Sequence, residues 1–299
     1  MAAEVIDGKA VAARWHSEVA AGASRLAREA GVVPCLGVVL VGDDPASVSY
    51  VTAKERACAA DGLASREVRL PASSSREEVV SAVAALNADP AVHGVLVQLP
   101  LPRQIDEKAV IEAISPEKDV DGFTDVNVGR MLVGGACFLP CTPNGIVQLL
   151  LECGVETDGA NAVVVGRSNI VGKPLANLLM RKGPGGNATV TVCHTGTRDL
   201  ARHTREADIL VVASGHPGTV TGDMVKPGAT VIDVGVNRVA DPSRKCGYRL
   251  VGDVDFASVA QVAGKITPVP GGVGPLTIAM LMRNTLQAAE RAVERAAAR

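Results

Sequence analysis

The sequence predicts an α/β protein of two domains, each built on a parallel sheet. Short, β-branched apolar runs alternate along the chain with longer alanine-rich, amphipathic stretches. Continuous apolar strands that are separated by crossover helices are typical of parallel sheets covered on both faces. The predicted strands are residues 36–41, 67–70, 94–97, 162–165, 189–193, 209–213 and 230–234.

The strands fall into two groups, which indicate the domain boundaries. Between the groups, residues 140–145 contain two prolines and a glycine, and a helix is predicted to resume at 146–153. Residues 277–299 carry a helical stripe of apolar positions, which predicts a terminal helix that returns to the first domain. We therefore predict a first domain of residues 1–144 with 278–299, and a second domain of residues 145–277.

The helix predicted after the first strand carries Tyr50 and Lys54 on one face. Gly42 permits a sharp turn, Asp44 is placed to cap the helix, and Pro45 suits its first position. Tyr50 and Lys54 are four residues apart, so they lie on the same side of the helix. This spacing presents a phenol and an amine together above the sheet. A surface helix with a solvated lysine remains the alternative.

A second motif, in residues 162–175, has a strand, a glycine turn and a helix start in succession. Gly166 and Gly172 occupy glycine positions of a variant dinucleotide fingerprint. Gly166 would let the backbone approach a phosphate, and the helix N-terminus offers free N–H groups and the positive end of its dipole. Arg167 in the turn could bind a phosphate through its planar guanidinium. The motif predicts a Rossmann-like domain, with a plain strand–turn–helix connection as the alternative.

The end of the next strand favours NADP as the cofactor. Residues 194–197 contain no carboxylate, although an NAD-specific enzyme usually places one there for the ribose hydroxyls. Its absence favours a 2′-phosphate. The later strands end in small residues at 213–215 and 233–237, where a cofactor would lie.

Composition argues against several classes of protein and site. The formal net charge of −2 and the lack of a sustained basic run argue against a nucleic-acid partner. No apolar run reaches the roughly 18 residues that span a membrane, and no basic targeting region opens the sequence. Seven cysteines without a Cys-x-x-Cys pair indicate reduced thiols in a cytoplasmic protein. Because Cys137, Cys141 and His194 lack a fourth ligand for zinc, we expect no metal site.

Three further segments carry residues suited to a substrate site. The strand at 94–97 continues into Gln98 and a proline-rich loop. Residues 116–123 form an acidic turn that contains Asp121, and residues 267–277 form a glycine- and proline-rich loop before the last helix. Taken singly, each could be structural: a buried and satisfied amide, a solvated turn, or a connecting loop.

Together these segments resemble the bifunctional methylenetetrahydrofolate dehydrogenase/cyclohydrolase family. The resemblance covers essentially the whole chain, in the family's order. It rests on Asp7-Gly8-Lys9, P-A-S-x-x-Y-x-x-x-K at 45–54, V-Q-L-P-L-P at 97–102, K-D-V-D-G-F at 118–123, G-R-S-N-I-V-G-K-P at 166–174 and P-V-P-G-G-V-G-P-L-T at 268–277.

The resemblance implies a function and a site. It implies NADP-linked oxidation of 5,10-methylenetetrahydrofolate to the 5,10-methenyl form and hydrolysis of that product to 10-formyltetrahydrofolate, in one-carbon interconversion and purine biosynthesis. It also implies a folate cleft between the domains and a cytoplasmic homodimer. By the family pattern, Lys54 is the acid–base group, Gln98 positions it, Tyr50 lines the folate site and Asp121 anchors the pterin.

These residue types fit the chemistry. A lysine with the ordinary pKa of about 10.4 is a poor base at neutral pH, whereas a desolvated lysine beside a cationic substrate can work. An amide such as Gln98 orients the amine without adding a charge that would keep it protonated. The carboxylate of Asp121 can accept paired N–H bonds from the amino-pyrimidine edge of the pterin.

The resemblance also assigns the binding residues. The implied folate-binding residues are Tyr50, Lys54, Val97, Gln98, Leu99, Asp121, Pro268, Gly271, Gly272 and Pro275, and the implied cofactor-binding residues are Gly166, Arg167, Ser168, Thr195 and Val236. One departure from the family pattern concerns the residue after His194, which is often basic in the family and is Thr195 here. Arg167 is therefore the main candidate for the 2′-phosphate.

Two other hypotheses stay open. The same fold could serve another NADP-dependent dehydrogenase, of the shikimate or amino-acid type. It could also serve as an NADP-binding sensor without catalysis, although the set of Tyr50, Lys54, Gln98 and Asp121 argues against that.

Overall fold

Two units make up the part of the chain that a computed structural model describes, which is residues 2–244 and 247–298. The first unit holds residues 13–141 and 278–298, and the second holds the other described residues. The domain prediction placed the N-terminus in the first domain, but residues 2–12 belong to the second unit. The reason is that strand β1 (Glu4–Val5) pairs with β11 (Lys265–Ile266) there. Met1 and Arg299 lie outside the described residues.

The first unit is built on a three-stranded parallel sheet with the strand order β3-β2-β4. Helices α1 and α10 each begin in residues of the second unit and continue into the first. The elements are α1 (Gly8–Ala30), β2 (Cys35–Val41), α2 (Pro45–Ala60), β3 (Ala64–Leu70), α3 (Arg76–Ala88), β4 (Gly94–Val97), α4 (Glu107–Glu112), α5 (Asp125–Leu132) and α10 (Val273–Ala297).

The central strand and its helices follow from the sequence pattern. All seven residues of β2 are buried, as expected of an apolar strand covered on both faces. Helix α3 begins with a capping box, in which Ser75 and Glu78 satisfy each other's backbone N–H groups. In the last helix, the Asn284 side-chain amide donates to the carbonyls of Val120 (2.8 Å) and Leu139 (3.0 Å). Residues 278–298 of this helix belong to the first unit.

The second unit contains a six-stranded parallel sheet with the order β1-β11-β8-β7-β5-β6. A separate antiparallel hairpin is formed by β9 and β10. The remaining elements are α6 (Cys141–Glu152), β5 (Asn161–Val165), α7 (Gly172–Met180), β6 (Thr189–Cys193), α8 (Leu200–Thr204), β7 (Ile209–Val212), a 3₁₀ turn (Gly222–Met224), β8 (Thr230–Asp233), β9 (Asn237–Ala240), β10 (Tyr248–Val251) and α9 (Phe256–Val259).

The strand order of the second sheet is that of a doubly wound fold. After β5, the chain forms β6 on one side of it and then crosses to β7 on the other side. Ligands of such sheets bind outside the carboxyl ends of the strands at this reversal, which here lies between β5 and β7. The predicted Rossmann-like α/β architecture is confirmed.

The described cysteines and helices bear on two expectations from composition. Cys35, Cys58, Cys137, Cys141, Cys153 and Cys193 are free thiols, and Cys246 lies outside the described residues. In the part of the chain that the structure describes, no helix has the length and apolar character needed to cross a membrane.

Candidate active site

Helix α2 carries the first two candidate residues, and its start is as predicted. The Asp44 carboxylate accepts a hydrogen bond from the Ser47 N–H (2.8 Å), and Pro45 is the first helical residue. Tyr50 is 48% exposed, whereas Lys54, one turn further on, is partly buried. A fully solvated lysine is therefore not what the structure shows.

The Lys54 amine is held by Gln98, which follows strand β4. The Lys54 Nζ donates to the Gln98 Oε1 over 2.9 Å. The Gln98 Nε2 donates to the Leu99 carbonyl (2.6 Å), and the Gln98 backbone N–H donates to the Val39 carbonyl (2.9 Å). Because the side chain is held from both ends, its amide oxygen stays directed at the amine.

Burial dominates the electrostatics of Lys54 and Asp121. Desolvation lowers the pKa of Lys54 from its usual value, and the negative charge of Asp121 partly opposes this. Desolvation likewise raises the pKa of Asp121, and the positive charge of Lys54 partly opposes that shift. The two groups therefore favour each other's charged form, while burial favours the neutral form of both.

Cys141 is a member of this cluster that the sequence analysis did not assign to it. Its thiol hydrogen-bonds with the Asp121 carboxylate, contacts the Val120 carbonyl (3.4 Å) and accepts from the Asn284 Nδ2 (3.7 Å). Burial raises the pKa of the Cys141 thiol well above its usual value, so the thiol is neutral. In the sequence, Cys141 stands in P-C-T-P where helix α6 begins, and this position does not indicate a contact with Asp121.

Asp119 fixes the turn that presents Asp121. Its buried carboxylate accepts from the backbone N–H groups of Phe123 (3.1 Å) and Thr124 (2.9 Å) and from the Asn127 Nδ2 (2.8 Å). The motif K-D-V-D-G-F therefore contains two aspartates with different tasks. The Asp119 carboxylate accepts hydrogen bonds within its own turn, whereas the charges of Asp121 and Lys54 affect each other's pKa.

The other two predicted folate residues of the first unit, Val97 and Leu99, differ in their exposure. Leu99 is partly exposed, at the start of the proline loop, which opens with the cis bond between Leu99 and Pro100. Val97 is only 6% exposed, and its side chain packs in the core beneath the sheet. Any contact of Val97 with a ligand would therefore be made by its backbone.

We expect Gln98→Glu to move the acid limb of the catalytic pH profile. The substitution keeps the shape of the side chain and puts a carboxylate 2.9 Å from the Lys54 Nζ. A negative charge at this distance stabilises the ammonium form and so raises the pKa of Lys54. Because the reaction needs the neutral amine, the acid limb of the profile should move to higher pH by about one to three units. The profile of turnover number against pH for each protein measures this. An acid limb at an unchanged pH would contradict the link between Gln98 and Lys54.

The turn after β5 has the close backbone approaches that a dinucleotide requires. A Cβ atom on Gly166 would overlap the Ala213 carbonyl, and one on Gly172 would overlap the Gly166 carbonyl. The Ser168 hydroxyl accepts from the N–H groups of Val171 (3.1 Å) and Gly172 (3.4 Å) and so closes the turn at the start of α7. These glycines fit the backbone approach and helix packing of a dinucleotide fingerprint.

Three exposed side chains complete the predicted cofactor site. Arg167 and Thr195 are exposed, and Val236 is 48% exposed after β8. Two hydrogen bonds close the turn that holds Thr195: the His194 N–H donates to the Thr197 hydroxyl (2.8 Å) and the Gly196 N–H donates to the His194 Nδ1 (3.0 Å). All three lie just beyond carboxyl ends of strands, as the fold requires for nucleotide binding.

The predicted folate loop of the second unit packs against the N-terminal motif. A Cβ atom on Gly8 would overlap the Gly272 carbonyl, and a Cβ on Gly271 would lie 3.3 Å from the Lys9 Cε. Gly271 has a φ of 109°, and the preceding bond from Val269 to Pro270 is cis. Pro268, Gly271 and Pro275 are partly exposed and Gly272 is buried. The motifs at 7–9 and 268–277 thus form one packed segment.

Within residues 2–244 and 247–298, no three His, Cys, Asp or Glu side chains are grouped in a way that could hold a metal ion.

Two family models match most of the chain. Residues 6–121 match the catalytic domain of tetrahydrofolate dehydrogenase/cyclohydrolase. Residues 140–293 match the NAD(P)-binding domain of tetrahydrofolate dehydrogenase/cyclohydrolase.

Known proteins resemble the chain over nearly its full length. The bifunctional protein FolD of Moorella thermoacetica is 56% identical over 291 residues, which are 97% of this chain and 100% of that protein. Among solved structures, the methylenetetrahydrofolate dehydrogenase-cyclohydrolase of Trypanosoma brucei, complexed with NADP and an inhibitor, is 44% identical with a TM-score of 0.93 and covers 98% of this chain and 99% of its own. The FolD enzyme of Campylobacter jejuni is 44% identical with a TM-score of 0.91, over 97% and 99% of the two chains.

Proposed function

Because this chain belongs to the tetrahydrofolate dehydrogenase/cyclohydrolase family, we propose that Lys54, Gln98 and Asp121 carry the chemistry of its two reactions. The enzyme oxidises 5,10-methylenetetrahydrofolate to 5,10-methenyltetrahydrofolate with NADP and hydrolyses the product to 10-formyltetrahydrofolate. The observation that carries the residue assignment is the 2.9 Å hydrogen bond from Lys54 to a neutral amide in a partly buried position.

In the hydrolysis, Lys54 acts as the base. Water adds to the cationic methenyl carbon, and one of its protons passes to the neutral Lys54 amine. The hydroxyl proton of the adduct then passes to the ring nitrogen N5 as the bond from that nitrogen to the carbon breaks, which leaves the formyl group on N10. One proton is released overall. Gln98 keeps the amine oriented, and desolvation keeps enough of it neutral to accept the proton.

In the oxidation, the residues mainly position the substrate. Asp121 would accept N–H bonds from the amino-pyrimidine edge of the pterin, and Tyr50 and Leu99 would line its site. When bound, NADP supplies the nicotinamide that accepts the hydride. Because hydride transfer depends chiefly on orientation, these contacts set the rate through geometry.

The cofactor assignment rests on Arg167 and on the turn that contains it. We expect Arg167→Gln to raise the KM for NADP by roughly 10- to 150-fold, since a charge-assisted bond to the 2′-phosphate contributes about 1.5–3 kcal/mol. The KM for NAD, which lacks that phosphate, should change little. Steady-state kinetics with both cofactors measure the ratio. An equal rise for the two cofactors would place the 2′-phosphate elsewhere.

The finer proposals concern assembly and setting. We infer a homodimer that works in the cytoplasm and supplies formyl groups for purine biosynthesis. The family resemblance supports all three, and the free thiols of the described cysteines support a reducing compartment. Sedimentation equilibrium at micromolar concentration tests the dimer, and a single species with the mass of one chain would overturn it.

The experiment that tests the function follows both reactions separately. Purified protein is given methylenetetrahydrofolate with NADP or with NAD, and the methenyl intermediate and formyl product are monitored. We expect both products and faster turnover with NADP. NADP binding without turnover would favour the sensor hypothesis, and no absorbance change that depends on the folate would favour another dehydrogenase.

A further inference from the structure

A buried pair of aspartates, Asp233 and Asp253, joins the loops at the carboxyl edge of the second sheet. Asp253 is fully buried, and its Oδ2 accepts from the backbone N–H groups of Ser214 (2.6 Å) and Gly215 (2.8 Å), directly after β7. Its Oδ1 accepts from the Asn237 Nδ2 (2.8 Å), at the start of β9. One carboxylate therefore ties together the segments that follow two neighbouring strands.

Asp233, the last residue of β8, holds Asp253 in place. Its Oδ1 accepts from the N–H groups of Asp253 (2.9 Å) and Gly235 (3.1 Å), and its Oδ2 accepts from that of Val254 (3.0 Å). A Cβ atom on Gly235 would overlap the Asp253 carboxylate, and one on Gly252 would overlap the Asp233 carboxylate. The chain thus has glycine at both positions where a side chain would displace the pair.

The arrangement is costly for a purely structural connection. Among the described residues, neither carboxylate has an ion-pair partner, so N–H groups alone compensate their charge. Burial and the neighbouring Asp253 charge raise the pKa of Asp233 to about 6, against the effect of its backbone hydrogen bonds. Arrangements that break the usual rules of burial in this way are expected at functional sites.

The loop predicted to bind folate is contacted by Asp233 through its backbone, which Asp253→Asn leaves in place. The Asp233 backbone N–H donates to the Thr267 hydroxyl (2.8 Å), and Thr267 is the fully buried residue before Pro268. The tied segments follow β7 and β8, and β7 borders the reversal of strand order where ligands of this fold bind.

We infer that Asp253 is a positioning residue for cofactor binding, whose carboxylate holds residues 213–215 and 235–237 in the conformation that receives NADP. The inference rests on the proposed function, which places the cofactor at this edge. It adds a buried residue that contacts neither substrate nor cofactor and acts through the backbone of both loops.

The test compares the effect of one substitution on NADP-dependent oxidation with its effect on hydrolysis, which is measured without NADP. In Asp253→Asn, an amide NH₂ replaces one of the two carboxylate oxygens. That NH₂ then faces either the N–H groups of Ser214 and Gly215 or the Nδ2 of Asn237, so the hydrogen bonds to one of the two loops are lost. We expect the KM for NADP to rise at least 10-fold while the hydrolysis of methenyltetrahydrofolate, measured without NADP, stays within twofold of wild type. Asp255→Asn makes the same substitution two residues away at an exposed position, and it should change neither value.

A second variant and a binding measurement test the inference without relying on Asp253→Asn or on turnover. Asn237→Ala removes only one of the three hydrogen bonds to Asp253, and it should raise the KM for NADP by a smaller factor even if Asp253→Asn does not fold. Calorimetric titration with NADP gives a Kd that needs no turnover, so the inference can be judged even if the proposed reactions are absent. A KM and a Kd for NADP equal to wild type in folded variants, or a proportional loss of both activities, would overturn the inference.

Discussion

Replacing Lys54 by methionine is expected to abolish the cyclohydrolase reaction and to leave NADP binding intact. Methionine keeps the length and apolar stem of the side chain and removes the amine that donates to Gln98. General acid–base catalysis contributes about 10²- to 10⁴-fold, so we expect turnover to fall by about 10³-fold. The loss should appear in the turnover number, because Lys54 acts on the reacting atoms. Hydrolysis of methenyltetrahydrofolate, corrected for the uncatalysed rate, measures it.

The matched control for Lys54→Met lies on the same helix. Arg56 is exposed two residues further along α2, so Arg56→Met also removes a cation and adds a methionine there. We expect this variant to keep the wild-type turnover. The Kd for NADP should be the same in all three proteins. Unimpaired hydrolysis in Lys54→Met would refute the assignment of the base.

The second large effect is expected for Asp121→Asn, which should weaken folate binding and shift the pH profile. Loss of a charge-assisted hydrogen bond costs about 1.5–3 kcal/mol, so the KM for the folate substrate should rise by roughly 10- to 150-fold. The Asp121 charge raises the pKa of Lys54, against the larger effect of burial. Its removal therefore lowers that pKa further. The acid limb of the hydrolysis profile should move to lower pH, in the direction opposite to Gln98→Glu.

Asp125→Asn is the control for Asp121→Asn. Asp125 is a nearby exposed aspartate of α5 that pairs with Lys108 (3.1 Å), so its loss removes an equal charge outside the cluster. Surface pairs of this kind contribute little to stability. We expect the folate KM and the acid limb of Asp125→Asn to match wild type. If Asp121→Asn raised the KM and left the acid limb where it is, Asp121 would bind the pterin without tuning Lys54.

The parts of the fold with strong local patterns were predictable. Every strand predicted from an apolar run is present, and the glycine turn at Gly166 introduces a helix as expected. Strand β3 begins at Ala64 rather than at residue 67, because residues 64–66 are exposed and include a serine and an arginine, so they give no apolar signal. Strands β1 and β11 have two residues each, and the residues of β9 and β10 are partly or fully exposed. Such elements are set by their partners in space, which a local pattern does not reveal.

The candidate site was predictable where residue type and spacing carry the chemistry. The spacing of Tyr50 and Lys54 and the place of Gln98 after β4 are properties of single elements. The contact of Cys141 with Asp121 joins a helix start to a distant turn, and no spacing indicates it. The different roles of Asp119 and Asp121 likewise depend on which of the two carboxylates accepts hydrogen bonds from the N–H groups of the turn. No pattern in the sequence separates the buried Val97 side chain from the partly exposed Gln98 and Leu99.

The most direct test of the account is the pKa of the Lys54 amine itself. It can be measured by NMR titration of protein labelled at the lysine side chains, with Lys54→Met identifying the resonance. The proposed mechanism predicts that the amine titrates below the ordinary lysine value of about 10.4, because burial outweighs the charge of Asp121. It further predicts a higher value in Gln98→Glu and a lower one in Asp121→Asn. A pKa at or above the ordinary value in the wild-type protein would contradict the account.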